Sequence, residues 1–225
     1  MFQGFTDSTF EFFMAIGFNN NREFFHENHD WYMRSVREPC LELAGALTES
    51  VHALDPALDT RPDKVVSRIN RDLRYSRDKS PYRDYMWLSF HHTGEDRHIS
   101  LETYFEISCD GAGCGAGIYS ENRPLMNGFR RSLRQDPAAF LDVLAAIAPC
   151  HADIDPFKRM PVPEGIPAEL NEWYRARTFY VSYPIGDFDL IKSPALADEI
   201  NGVFRKLQPL FRYFASLSPE EEIPE

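Results

Sequence analysis

Near Val65 the apolar residues change their period, and that change most restricts what this chain can fold into. Before it, Leu43, Leu47, Val51 and Leu54 recur at helical spacing. After it, apolar and polar residues alternate, the signature of strands buried on one face. The alternation is clearest over residues 99–107. There Ile99, Leu101, Thr103, Phe105 and Ile107 would face a core, while Ser100, Glu102, Tyr104 and Glu106 would face away. A second run sets Met86, Leu88 and Phe90 against Tyr85, Trp87, Ser89 and His91, and residues 66–75 alternate as well. Half-buried strands need a covering layer. The first 25 residues, eight of them Phe, read as helices that supply it.

Local signals divide the chain further. Ser8-Thr9-Phe10-Glu11 reads as a capping box for the first helix, and Asn20 or Asn21 as the cap of a second from about Arg22 to Val36. Pro39 either kinks that helix or opens the next, over residues 40–54. Thr93-Gly94-Glu95-Asp96 is a hairpin turn, residues 124–134 a helix, and Asp136-Pro137 the start of another. Residues 149–169 are proline-rich and read as loop, and residues 179–183 as a strand. Ser193-Pro194 opens a last helix that Pro209 could break. The expected fold is α+β: an antiparallel or mixed sheet with N-terminal and C-terminal helices packed on it, in one domain over residues 1–225. The acidic tail, 218–225, reads as frayed.

Composition limits the function classes. With 24 Lys+Arg against 35 Asp+Glu the net charge is −11, which disfavours nucleic acid and polybasic membrane anchoring. The first seven residues carry no basic region, so no secretory signal is expected; no apolar run reaches membrane length, and four cysteines without a CxxC pair are not a disulfide framework. A cytoplasmic protein is expected. The charge is nevertheless uneven. Residues 64–83 hold seven basic and two acidic residues, net +5, so the rest of the chain sums to −16. Arginine, whose planar fork suits carboxylate and phosphate, dominates this island. At short range such a group outweighs screened distant charge. Arg68, Arg71, Arg74, Lys79 and Arg83 are therefore candidates for binding a small phosphate- or carboxylate-bearing molecule. Alternatively, the arginines pair across strands with Glu102 and Glu106, or the island docks an acidic patch of a protein partner. Asp72, Tyr82 and Glu102 are the weaker candidates for catalysis; Trp87 and Tyr104, on a polar-aromatic face with Glu102, Glu106 and His91, join the ligand-binding candidates.

Several stretches together resemble an uncharacterised bacterial family, domain-of-unknown-function family 2461. They are Ser67-Arg68-Ile69-Asn70-Arg71-Asp72, Lys79-Ser80-Pro81-Tyr82-Arg83, Phe18-Asn19-Asn20-Asn21-Arg22-Glu23-Phe24-Phe25, Gly115-Ala116-Gly117-Ile118-Tyr119, Arg130, Phe157-Lys158-Arg159 and Trp173-Tyr174. Asn70 departs from the pattern, standing where an aromatic is usual. The resemblance implies a single α+β domain, adds Arg130 to the ligand-binding candidates, and implies no reaction. No cofactor or metal is expected. His26 and His29 at helical spacing, and His91, His92 and His98 around a turn, are ordinary histidines before they are ligands. Cys114 is a remote candidate nucleophile among glycines. Gly111, Gly113, Gly115 and Gly117 alternate without the spacing of a P-loop or dinucleotide fingerprint, and read as room for a packed helix or a tight bend.

Overall fold

The computed structural model describes residues 1–74, 78–94 and 100–220. The chain opens with α1 (Asp7–Phe18), α2 (Arg22–Glu27) and α3 (His29–Tyr32). A π-helical turn, Met33–Arg37, leads into α4 (Glu38–Leu54), and α5 (Pro62–Val65) follows. Three strands come next, β1 (Tyr85–Phe90), β2 (Glu102–Ser108) and β3 (Gly111–Ile118), then α6 (Arg123–Gln135) and α7 (Pro137–Ala146). The remainder is β4 (His151–Pro156), α8 (Asn171–Arg175), β5 (Ala176–Ile185), α9 (Phe188–Ile191) and α10 (Ala195–Ala215). The fold is α+β. The five strands are antiparallel in the order β1-β2-β3-β5-β4, so the last strand made lies between β3 and β4.

On the core-facing side of β1 and β2 the expected alternation is observed. Met86, Leu88, Phe90, Thr103, Phe105 and Ile107 are buried under the helices. Aromatic contacts join the layers: Phe5 stacks on Phe105 with ring centroids 6.1 Å apart, and Phe90 meets the edge of Phe204 at 6.4 Å. Of the eight early phenylalanines, Phe2, Phe5, Phe10, Phe12 and Phe13 are buried, and Phe18 projects into solvent.

Several local expectations change. The first helix is capped at Thr6, whose N–H donates to Thr9 Oγ1 at 3.1 Å; the Ser8 hydroxyl is instead engaged by Ser35 and the Trp31 indole. Asn21 caps α2 by accepting from the Phe24 N–H. Pro39 sits in the first turn of α4, where its missing N–H costs little, directly after the π-helical turn. Residues 66–74 form no regular strand, and Tyr75 of the expected run lies outside the described residues. Isolated bridges Val66↔Leu88 and Asn70↔Tyr82 lay residues 66–70 beside the β1 edge. Within the stretch read as loop, His151–Pro156 pairs with β5 as an edge strand. α10 runs unbroken through Pro209, its apolar stripe from Leu196 to Phe214 held in the core on both sides of the proline. In the acidic tail, Glu220 N–H donates to Pro124 O at 2.8 Å, fixing residues 218–220 against α6, and residues 221–225 lie outside the described set.

The glycines of β3 serve strand pairing, not helix packing. A Cβ on Gly115 would lie 2.0 Å from Val181 O, and one on Gly117 2.3 Å from Phe179 O, both on the neighbouring strand. Gly45 is the opposite case, since it lies inside α4 and a Cβ added there would meet nothing within 4 Å. Gly45→Ala is therefore expected to stabilise the protein by about 1 kcal/mol, the helix-propensity difference. Thermal unfolding followed by circular dichroism checks this, as a melting temperature about 2–4 °C higher.

Candidate functional site

Where β4 ends and β5 begins, the register slips: Asp155 faces Thr178 but Pro156 faces Ala176. Arg177 is the extra residue of this bulge, and such bulges re-aim side chains. It lines a cleft of about 650 Å³ together with Arg123, Met126, Asn127 and Arg130 of α6, Glu121, and Phe157, Lys158, Arg159 and Met160 after β4. Five cationic side chains and one carboxylate thus face a cavity of the size that holds small molecules.

Arg130 anchors this cleft. The buried residues of α6 include Met126, Phe129, Arg130 and Leu133, a helical stripe in which the arginine occupies a core position. It is 1% exposed. Its Nε donates to Tyr174 O at 2.9 Å, Nη1 to Asn127 Oδ1 at 2.9 Å, and Nη2 to Ala176 O at 2.7 Å. These acceptors are all neutral, and they use three of the five guanidinium N–H groups. Burial pushes its pKa below the ordinary arginine value, opposed by Tyr174 and Glu121, yet a guanidinium remains charged. The Phe157 ring lies 5.7 Å from the Arg130 Cζ and 5.6 Å from that of Arg177, so one aromatic separates two cations. Arg177 pairs with Asp155 through Nη2, and its buried Nε has no partner among the described residues. Arg123 pairs with Glu121 at 2.5 Å. Lys158 and Arg159 are exposed and form no ion pair among the described residues.

The island occupies the opposite edge of the sheet, beyond β1. Ser67 N–H bonds Trp87 O, and Arg71 N–H bonds Pro81 O. Its charges are largely met within the hairpin itself. Arg71 lies 3.2 Å from Asp78 and 3.9 Å from Asp84. Arg74 grips Asp72 with two bonds of 3.0 and 2.7 Å. Lys79 Nζ donates to Leu73 O, and Arg83 donates to Arg68 O and Asn70 O while lying 4.3 Å over the Trp87 ring. Arg68 is exposed, and its guanidinium contacts no carboxylate among the described residues. The acidic partners are thus aspartates close in sequence, in place of the cross-strand Glu102 and Glu106. Arg77, which the island's charge includes, lies outside the described residues, as do Glu95 and Asp96 of the expected hairpin turn, His98 and Ile99.

The candidates for catalysis are placed as follows. The Arg74 side chain holds the Asp72 carboxyl down to about 2, far from the range of a general acid at neutral pH. Tyr82 is buried, stacks 4.3 Å from Phe25, and exchanges two backbone bonds of 3.0 Å with the Asn20 amide. Glu102, expected to face solvent, is 5% exposed and accepts from Ser89 Oγ at 3.0 Å. Trp87 and Tyr104 lie on the sheet face away from the helices, where Tyr104 meets Tyr180 edge-on at 6.0 Å. Burial raises the Tyr104 pKa, with Glu106 adding to it. Of all the candidates, Arg130 alone reaches the cleft. Arg123, Lys158, Arg159 and Arg177 enter it without having been singled out for binding. Cys114 is fully buried, and burial pushes its thiol well above the usual range, which makes it inert. His91 is buried, its Nδ1 on His92 O. No group of three or more metal-ligating side chains exists among the described residues.

Compared with known proteins, the family of conserved hypothetical proteins designated domain of unknown function 2461 (DUF2461) matches residues 8–213. The chain belongs to this family. The DUF2461 match spans the helical start, the island, all five strands and every residue of the cleft. Comparison with curated proteins gives no match. No described helix is long and apolar enough to cross a membrane.

Proposed function

We propose that this DUF2461 protein binds a small molecule through one phosphate or carboxylate group in the cleft between α6 and the β4–β5 corner. The observation that carries this reading is Arg130, a buried cation whose described hydrogen-bond acceptors are all neutral. Holding a charge in such a place costs several kcal/mol unless a counter-charge or good hydrogen bonds offset it. An anion in the cleft would take the remaining N–H groups of Arg130, while Lys158 and Arg159 close over it from the rim. The setting proposed is the cytoplasm, where the four cysteines, all free here, would stay reduced.

Titration calorimetry at low salt with inorganic phosphate, pyrophosphate and citrate tests the proposal. At least one is expected to bind saturably, and Lys158→Ala/Arg159→Ala to weaken it tenfold or more. Arg68→Ala/Arg83→Ala, at the far edge of the sheet, is expected to bind as the wild type does. Undiminished affinity in the first variant overturns the assignment, and loss in the second transfers the site to the island.

A further inference from the structure

At the corner where β1 turns toward β2, three side chains form a chain of hydrogen bonds. His92 Nε2 lies 2.7 Å from Asp55 Oδ2, and Ser100 Oγ lies 2.9 Å from His92 Nδ1. Asp55 is itself held, because its other oxygen accepts from the Ala57 N–H at 2.9 Å. It stands at the C-cap of α4, His92 just past the end of β1, and Ser100 just before β2. A backbone bridge, Leu58↔His92, ties the α4 exit to the histidine. Asp55 from the α4 exit and Ser100, eight residues from His92, thus meet at one imidazole.

The acceptor pattern fixes the roles. An ionised carboxylate can only accept, so in its neutral form the imidazole would carry its proton on Nε2 and present a lone pair at Nδ1. The Ser100 hydroxyl is then the donor in the second bond. A serine with a base within 2.6–3.2 Å, the base oriented by a third group, is the arrangement that activates a nucleophile. The roles, not the sequence order or the choice of ring nitrogen, define such a triad. The His92 and Asp55 side chains are 25% and 31% exposed. Strand order separates it from the cationic cleft by three strand spacings, about 14 Å, along the same end of the sheet.

We propose that Ser100, His92 and Asp55 are an acyl-transfer triad acting on carboxylic esters. Ser100 Oγ attacks the ester carbonyl carbon as its proton passes to His92 Nδ1. The bond to the leaving alkoxide breaks, and His92 returns the proton to that oxygen. Water then attacks the acyl-serine carbonyl as His92 takes its proton; the bond to Oγ breaks and His92 returns that proton to Oγ, releasing the acid and restoring Ser100. Asp55 is a positioning residue that holds the tautomer.

A fluorophosphonate probe reports on the first step, since Oγ–P forms, P–F breaks and fluoride leaves. Intact-mass and peptide analysis of the full chain should find one adduct on Ser100, absent from Ser100→Ala. His92→Gln should label at least 100-fold more slowly, the scale of general-base assistance. Asp55→Asn should lose tenfold or more and Asp55→Glu regain most of it, with melting temperatures confirming that each variant is folded. The triad is overturned if folded wild type carries no adduct on Ser100, or if His92→Gln labels there at the wild-type rate.

Discussion

Arg130→Met is expected to cost about 4 kcal/mol of stability. The substitution leaves the carbonyls of Tyr174 and Ala176 without the Arg130 donors, each such buried group costing about 1–3 kcal/mol, and removes the bond to the Asn127 amide oxygen. The methionine fills part of the vacated volume and limits the cavity cost. For a chain of this size the loss corresponds to a melting temperature about 8–16 °C lower. Arg130→Lys should recover little, because a single ammonium cannot span acceptors on α6, α8 and β5. Urea unfolding of both variants measures the effect. A change under about 1 kcal/mol would show that the guanidinium does not pin α6 to the start of β5, and any ligand effect would then be separate from the fold.

Gly115→Ala should be more damaging still. Its methyl would sit 2.0 Å from Val181 O and 3.0 Å from Val181 C, inside the backbone of the paired strand, where no side-chain rotation relieves it. β3 and β5 would have to separate at the centre of the sheet. We expect more than about 4 kcal/mol and little soluble protein, the range reserved for a named backbone conflict. Gly113→Ala is the internal control. Its Cβ would meet Tyr183 O at 3.5 Å, ordinary contact, and it should fold. Soluble yield and urea midpoints of the two variants separate them, and equal behaviour would contradict the close approach of the strands.

Those glycines illustrate how far the sequence could be read. Their alternation announced a strand face without side chains, but sequence does not say what comes close to it; the neighbour is β5, some way further along the chain. The strands with clean alternation, β1 and β2, were legible because one face is buried on helices and the other is not. β4 was hidden because it is an edge strand with two aspartates and a terminal proline, so its composition matches a loop. The island showed the same asymmetry between charge and partnership. Its net charge follows from counting, whereas Arg74–Asp72 and Arg71–Asp78 pairing depends on how the hairpin closes. In the cleft, Arg130 had a signal, a cation on the apolar stripe of α6. Arg177 had none, because a bulge aims it and no periodicity encodes a bulge.

The strand order carries a consequence for how the chain must assemble during synthesis. When β3 has emerged, the sheet ends in a glycine-rich edge with one ladder unfilled, and β4 emerges later with no neighbour at all. Both wait for β5, whose insertion closes two ladders at once and joins the halves. Until Ile185 is available the nascent chain is a three-stranded meander beside an unpaired strand, a state with exposed edges. The cationic cleft, built on the first residues of β5, therefore comes into existence only with this final closure. Binding at that cleft would stabilise the latest-formed part of the sheet, and so the step on which the whole sheet depends.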